Sequence, residues 1–217
     1  MKKLLILAAL VTAAVSSCTL EDVYVRENVQ DLVTYTQGQL INDVGTIFDV
    51  TESQVAQSEW KVESQRQLIR FDILNRQMEI RLLETHPLTK VIPEEYQVEE
   101  ELPTDPVVFD MGFISGGYMN LVFAGYKAKG SNFAPQYYFR QVVRAGSIKV
   151  YLYYDGNNEN PLTMALDDLE TKVYYVCIPL ENAASLSSIT LEAYRLQQDD
   201  KGAVYCEPYE YPFNRNY

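Results

Sequence analysis

The sequence predicts an all-β protein in which a small barrel precedes an antiparallel β-sandwich. Apolar residues recur with period two from Leu32 onward, and β-branched and aromatic residues dominate these runs. Short turns that contain Gly, Asn or Pro separate the runs. A stretch rich in proline and glutamate then divides the chain into a shorter and a longer set of strands. The fold class that we predict is therefore all-β, with two domains.

The N-terminal segment has the pattern of an export signal. Lys2 and Lys3 precede an apolar run at residues 4–15, which only Thr12 interrupts. A membrane-spanning helix needs about 20 apolar residues, so this run is too short to cross a bilayer. Small residues and Cys18 follow it. We predict that residues 1–17 are a signal peptide that is removed from the mature protein.

Cys18 is the predicted attachment site for lipid. Val15-Ser16-Ser17-Cys18 resembles the lipobox of bacterial lipoproteins, in which the cysteine thiol receives a diacylglyceryl group and the new amine is acylated. Three acyl chains would make release from a membrane negligible, because each buried methylene contributes about 0.8 kcal/mol. We expect an anchor in the outer membrane, on its periplasmic or its surface-exposed face. The alternative is an ordinary secretory signal that happens to precede a cysteine.

The net charge narrows the classes of partner. Removal of residues 1–17 leaves 16 Lys and Arg residues against 30 Asp and Glu, a net charge of −14. Such a surface repels phosphates, so we expect no nucleic-acid partner. It favours basic polypeptides, cations or neutral ligands such as glycans. Solubility alone is the alternative explanation of this charge.

Residues 18–30 read as a tether, and residues 31–92 as the barrel domain. Its clearest element is a hairpin, because residues 68–73 and 78–82 each alternate apolar with charged side chains across a short polar connection. Opposite charges on the outward faces could pair across the strands.

Residues 93–104 form the predicted acidic linker, since prolines and clustered glutamates disfavour a central strand. Residues 105–217 contain about seven further strands and form the predicted sandwich. In residues 148–154 the alternation is clear, and the turn Asp155-Gly156-Asn157-Asn158 follows it. A single helical turn is expected at residues 166–170.

The order of these parts resembles the NigD-like lipoproteins. The resemblance rests on the lipobox, the acidic linker and three further motifs, which are Gly-Phe-Ile-Ser-Gly-Gly-Tyr-Met-Asn-Leu-Val-Phe at 112–123, Asn-Asp-Val-Gly-Thr-Ile-Phe at 42–48, and Phe-Asp-Ile-Leu-Asn at 71–75. It implies a small OB-like barrel followed by an antiparallel Ig-like β-sandwich. It also implies association with bacteriocin production, with a proposed immunity role, and it assigns no residue to catalysis.

Little in the sequence supports catalysis. His86 is the single histidine, no Gly-x-Ser-x-Gly motif is present, and we interpret His86 as a loop residue. Cys177 and Cys206 have no neighbouring histidine, so a catalytic thiol is not expected; a disulfide between them is an open alternative. We predict no enzyme activity, no metal site and no cofactor. A hydrolase that uses two carboxylates is the less favoured alternative.

Tyrosine marks the candidate binding surface. Of 17 tyrosines, 14 follow residue 117. Alternation places some rings in the core and others outward, where Tyr and Arg are enriched at interfaces. The outward candidates for ligand binding are Tyr138, Arg140, Arg144, Tyr151 and Tyr153. The sequence thus predicts a lipid-anchored, non-enzymatic envelope protein that binds a protein partner or, alternatively, a surface glycan; β-propensity alone is the other explanation of the tyrosines.

Overall fold

The computed structural model describes residues 26–99, 101–181 and 183–213. The predicted signal peptide, Cys18 and most of the predicted tether lie outside the described residues. The chain divides into two compact units between Thr85 and His86.

The first unit is a closed five-stranded barrel. Its elements are β1 (Arg26–Thr36), β2 (Gln39–Asn42), β3 (Ile47–Ser53), a short helix α1 (Gln57–Trp60), β4 (Arg66–Ile73) and β5 (Glu79–Pro87). The strands neighbour one another in the order β1-β2-β3-β5-β4. β1 pairs with β2 and with β4, and β3 runs parallel to β5. This closed five-stranded topology confirms the OB-like barrel.

The barrel core follows from the alternation that the sequence shows. Ile69, Phe71, Ile80 and Leu82 are almost fully buried, and they belong to one core cluster. Their polar neighbours Arg70 and Arg81 are partly exposed, whereas Asp72 is buried and lies 3.7 Å from Arg81, so the predicted cross-strand pair forms. Burial of the apolar side chains remains the main source of stability in the barrel.

The second unit consists of two sheets that enclose one apolar core. Its strands are β6 (Thr89–Lys90), β7 (Glu94–Glu95), β8 (Val107–Ser115), β9 (Tyr118–Ala128), β10 (Gln136–Arg144), β11 (Ser147–Asp155), β12 (Leu169–Pro179), β13 (Ser188–Gln198) and β14 (Val204–Pro212). The five-stranded sheet has the order β14-β13-β11-β10-β7 and the four-stranded sheet β6-β12-β9-β8. The predicted β-sandwich is confirmed. The predicted helical turn is a 3-10 turn at Leu166–Asp168.

The sheets are mixed rather than purely antiparallel. β11 pairs in parallel with β13, β10 with β7, and β12 with β6. The pairing of β11 with β13 requires a crossover through β12 in the other sheet. Period-two alternation does not report strand direction, so no pattern in the sequence indicates these parallel pairs.

The segment between the two sets of strands pairs with both sheets of the second unit, although its composition suggests a solvated linker. Residues 89–90 and 94–95, of which the second pair falls in the predicted linker, form β6 and β7 and add to opposite sheets. Glu94 is salt-bridged to Arg140 at 3.1 Å, and Pro93 is buried. The division at Thr85 and His86 therefore precedes the predicted linker at 93–104. β6 and β7 are edge strands of their sheets, and edge strands tolerate nearby prolines.

One contact between the two sheets sets how closely they pack. Tyr154 on β11 is 1% exposed, and its ring lies on the backbone of Gly125 on β9. A Cβ atom at residue 125 would lie 2.0 Å from Cζ of that ring. The Tyr154 hydroxyl donates a hydrogen bond to the carbonyl oxygen of Tyr126 at 3.1 Å. Only glycine therefore permits this contact.

Replacement of Gly125 by alanine should lower the free energy of unfolding by about 3 kcal/mol, because a rigid Cβ would overlap the Tyr154 ring. Urea denaturation of the G125A variant measures this change. In a Tyr154→Leu background the same glycine substitution should cost much less, because the ring is gone. An equal cost in both backgrounds would show that the Tyr154 contact is not the cause.

Candidate functional site

Four tyrosines form a row on the outward face of the five-stranded sheet. We define the tyrosine row as Tyr96, Tyr151, Tyr153 and Tyr194. Tyr151 and Tyr153 alternate along β11 with the buried Val150, Leu152 and Tyr154. Tyr194 lies on the neighbouring β13, and Tyr96 directly follows β7. The row therefore arises because strand alternation turns these rings away from the core.

The rings contact one another in sequence across the sheet. The Tyr96 and Tyr151 ring centroids are 4.6 Å apart with an interplanar angle of 25°. Tyr151 and Tyr153 are separated by 6.5 Å at 15°, and Tyr153 and Tyr194 by 6.5 Å at 38°. In the closest pair each ring covers a face of the other. That pair therefore presents ring edges to a ligand more than one flat face.

A charged cluster lies at one side of the row. The Lys149 ammonium lies 2.8 Å from a carboxylate oxygen of Glu192, contacts Glu210, and lies 5.0 Å from the Tyr151 ring centroid. Burial opposes its charge, but the hydrogen bonds to Glu192 and Glu210 outweigh burial and raise the pKa of Lys149. Two carboxylates thus surround one ammonium, and the cluster carries a net negative charge.

The environment of two members of the row, Tyr153 and Tyr194, suppresses ionisation of their hydroxyl groups. Burial is the largest cause, and repulsion from Tyr96, Tyr194 and Glu192 adds to it, so that the pKa of Tyr153 is raised to about 12. The pKa of Tyr194 is raised by burial and by Glu192. These hydroxyls remain neutral hydrogen-bonding groups throughout the physiological range.

A groove adjoins the row at the β10–β11 turn. Its volume is about 920 Å³. It is lined by residues from all five strands and from the segment after β7, among them Tyr96, Val98, Val143, Arg144, Lys149 and Glu210. The lining therefore contains both polar and apolar side chains. A volume of this size can hold a drug-sized ligand or a short stretch of polypeptide.

The structure brings the five predicted ligand-binding residues to one sheet but gives them different environments. Tyr138 and Arg140 pair across strands with Tyr153 and Tyr151. Arg140 is 8% exposed and salt-bridged to Glu94, so its buried position favours a structural role. The Tyr138 hydroxyl donates to Oε1 of Gln136 at 2.8 Å. Arg144 is exposed and lines the groove. That these five residues bind a ligand stays a prediction.

Two members of the row were not among the sequence candidates. Tyr194 could have been predicted from the sequence. It lies in a strand with clear alternation, on the same outward face as the charged Glu192. Tyr96 could not, because it lies in the stretch that composition marks as a linker. Only the pairing of β7 with β10 brings Tyr96 over the sheet.

The remaining sequence candidates lie away from the row. Cys177 is on β12 of one sheet and Cys206 on β14 of the other, and they are not joined by a disulfide. Burial, followed by Asp105 and Glu207, raises the pKa of the Cys206 thiol to about 11, which disfavours the reactive thiolate. His86 lies at the end of β5 and stacks on Tyr175, with ring centroids 4.5 Å apart. His86 therefore lies in a strand, and the interpretation of His86 as a loop residue is wrong.

Two further findings concern metals and membranes. In the part of the chain that the structure describes, no three His, Cys, Asp or Glu side chains come together in a way that could hold a metal ion. No helix among the described residues has the length and apolar character needed to cross a membrane.

Comparison with known proteins places the fold within a group of Bacteroides proteins. The sequence matches no protein-family model and no curated protein. Solved structures do match: a NigD-like immunity protein from Bacteroides caccae has 16% identity and a TM-score of 0.58, with 86% of this chain and 98% of that chain covered. A protein of unknown function from Bacteroides vulgatus has 16% identity and a TM-score of 0.55, with 87% and 91% covered.

A third similar structure is described as a lipoprotein from Bacteroides fragilis, with 13% identity, a TM-score of 0.51, and 88% of this chain and all of that chain (100%) covered. At these identities the likeness establishes the fold. The fold that the NigD-like resemblance implied, an OB-like barrel with a β-sandwich, is therefore confirmed. None of the three descriptions names an enzyme.

The raised pKa of Tyr153 should be visible in a spectrophotometric titration. The difference between the native protein and a Tyr153→Phe variant should titrate near pH 12, whereas the same difference in denaturant should titrate near the ordinary value of about 10. Phenolate absorbance in the ultraviolet reports both. Because the folded pKa lies above the unfolded pKa, the contribution of Tyr153 to stability is present below pH ~10 and lost as the pH rises toward 12. A native titration at the ordinary value would contradict the buried, repulsive environment of the row.

Proposed function

We propose that this chain is a lipid-anchored, non-enzymatic binding protein of the bacterial cell envelope. The tyrosine row is the observation that carries the proposal. Tyrosine is enriched at protein interfaces because it combines a large apolar ring with a hydroxyl group. Four such rings lie on a sheet face outside the core, beside a groove of about 920 Å³.

The cellular location in this proposal rests on the N-terminal segment. The lipobox-like Val15-Ser16-Ser17-Cys18 supports attachment through acyl chains on Cys18. The similarity to a described lipoprotein agrees with it. We propose that the anchor lies in the outer membrane and that a short tether connects it to the first β unit.

The specific role that we propose is protective. One protein of the same fold is described as an immunity protein. A protein held at the envelope can intercept a toxin without chemistry, provided that it binds. Association with the tyrosine row would supply this binding surface.

A surface glycan is the second candidate ligand. Tyrosine rings stack on sugars, and the groove lies beside such rings. The mutual stacking of Tyr96 and Tyr151 counts against it, because these two rings cover part of each other. A hydrolase needs two carboxylates in a concave site with shifted pKa values. Two of the carboxylates beside the groove, Glu192 and Glu210, are instead joined to Lys149.

Substitution of Cys18 by alanine should move the protein from the membrane fraction to the soluble fraction, because the acyl chains have no other attachment. Metabolic labelling with a radioactive fatty acid should be lost at the same time. Cys206→Ala is the matched control and should retain both the label and the membrane location. Retention of the Cys18→Ala protein in membranes would overturn the lipid anchor.

A photoreactive residue placed in the row should capture the partner in intact cells. We expect benzoyl-phenylalanine at Tyr194 to give a discrete adduct after illumination, because Tyr194 is a half-buried end of the row. The control position is Tyr205, which is 45% exposed and lies outside the row. Mass spectrometry identifies the adduct. Identical adducts at both positions, or none at Tyr194, would argue against the row as the binding surface.

A further inference from the structure

We propose that the groove beside the tyrosine row receives an extended, basic segment of a partner polypeptide, which continues the five-stranded sheet at β10. This inference rests on the proposed binding function and specifies the chemistry of the partner. Three features carry it: an unoccupied length of sheet edge, exposed aliphatic side chains beside that edge, and the local balance of charge.

The edge of β10 is only partly covered. β7 pairs with β10 at Arg140 and Gln141, and the Tyr96 amide donates to the Gln141 carbonyl oxygen at 2.9 Å. The backbone groups of Val143 point in the same direction as those of Gln141, because alternate residues of a strand repeat their orientation. In the described chain no strand lies beside β10 after Gln141. Among the described residues no backbone hydrogen bond reaches Val143 from this side, so its amide and carbonyl are open to an added strand there.

The opposite edge of this sheet is protected. β14 contains Pro208 and Pro212, which lack an amide hydrogen. Prolines on edge strands discourage pairing with a further strand. Strand addition is therefore disfavoured at the β14 edge and remains open at the β10 edge.

The side chains around the open edge suit an extended peptide. Val98 is 86% exposed and Val143 is 62% exposed, and both line the groove. Alternate residues of an added strand could cover these valines. A sugar would instead need an uncovered ring face, and the two tyrosine rings that line the groove, Tyr96 and Tyr151, are stacked on each other.

The charges favour a basic occupant. Lys149 is held by two carboxylates, and Glu95 is exposed at the groove. Three carboxylates, those of Glu95, Glu192 and Glu210, thus stand against the two cations Lys149 and Arg144, which leaves one negative charge in excess. The whole chain has a net charge of −12, which attracts cations at long range and raises their rate of association.

Selection from a phage library of random linear peptides tests the inference. The mature chain from residue 18 is the only selection target, and a Glu95→Lys/Val143→Lys variant is used afterwards in binding measurements. We expect the selected peptides to carry a net positive charge with aliphatic residues at alternate positions. Synthetic versions should bind the variant about tenfold more weakly, and rising salt should weaken binding to the parent.

The control variant is Asp110→Lys/Glu170→Lys, which places two lysines at exposed positions on strands of the four-stranded sheet. It should bind the selected peptides within about twofold of the parent, apart from the general effect of net charge. Circular dichroism verifies that all variants fold. Equal losses in both variants would overturn the site, and acidic or neutral selected peptides would overturn the basic occupant.

The proposed function can fail separately. If the photoreactive Tyr194 captures a glycan, or a protein without a basic extended segment, the binding function stands and the inference is wrong. If Tyr194 captures nothing and the selected peptides are unaffected by Glu95→Lys/Val143→Lys, both are wrong.

Discussion

The contact of Tyr154 with Gly125 determines the geometry on which the candidate site depends. It presses β11 of one sheet onto the backbone of β9 in the other, and the Tyr154 hydroxyl completes the junction by donating to Tyr126. With Tyr154 directed inward, alternation directs Tyr151 and Tyr153 outward. A register shift by one residue would exchange these roles and bury Tyr153 in place of Tyr154. Core packing and the presentation of the row are therefore one constraint.

The tyrosine row is ordered by contacts among its own side chains and is still partly exposed. Each ring contacts its neighbour, and the Lys149 cluster holds one side of the row through Glu192 and Glu210. Side chains ordered in this way lose little conformational entropy when a partner binds. Tyrosine is suited to this use because its ring is large and has only two rotatable bonds. The row thus combines order in the isolated protein with groups that a partner can contact.

The acidic stretch before the sandwich is where composition and structure differ most. Clustered glutamates and prolines indicated a solvated linker, yet Glu94 and Glu95 form a strand and Glu94 pairs with Arg140. Composition describes the average behaviour of a segment, whereas pairing depends on an edge that another part of the chain supplies. Arg140 was read as outward for the same reason, since alternation gives the face but not what covers that face.

The amino-acid sequence by itself determined the all-β class, the barrel followed by a sandwich, and the faces of β4, β5 and β11, because burial on one side of a strand imposes a period of two. It is also the source of the prediction that Cys18 carries lipid, because that prediction needs only a contiguous motif. The tertiary structure alone decided the parallel pairing of β11 with β13, the separation of Cys177 from Cys206, and the position of Tyr96 in the row. These features join residues that are distant in the chain, and local patterns contain no record of such encounters.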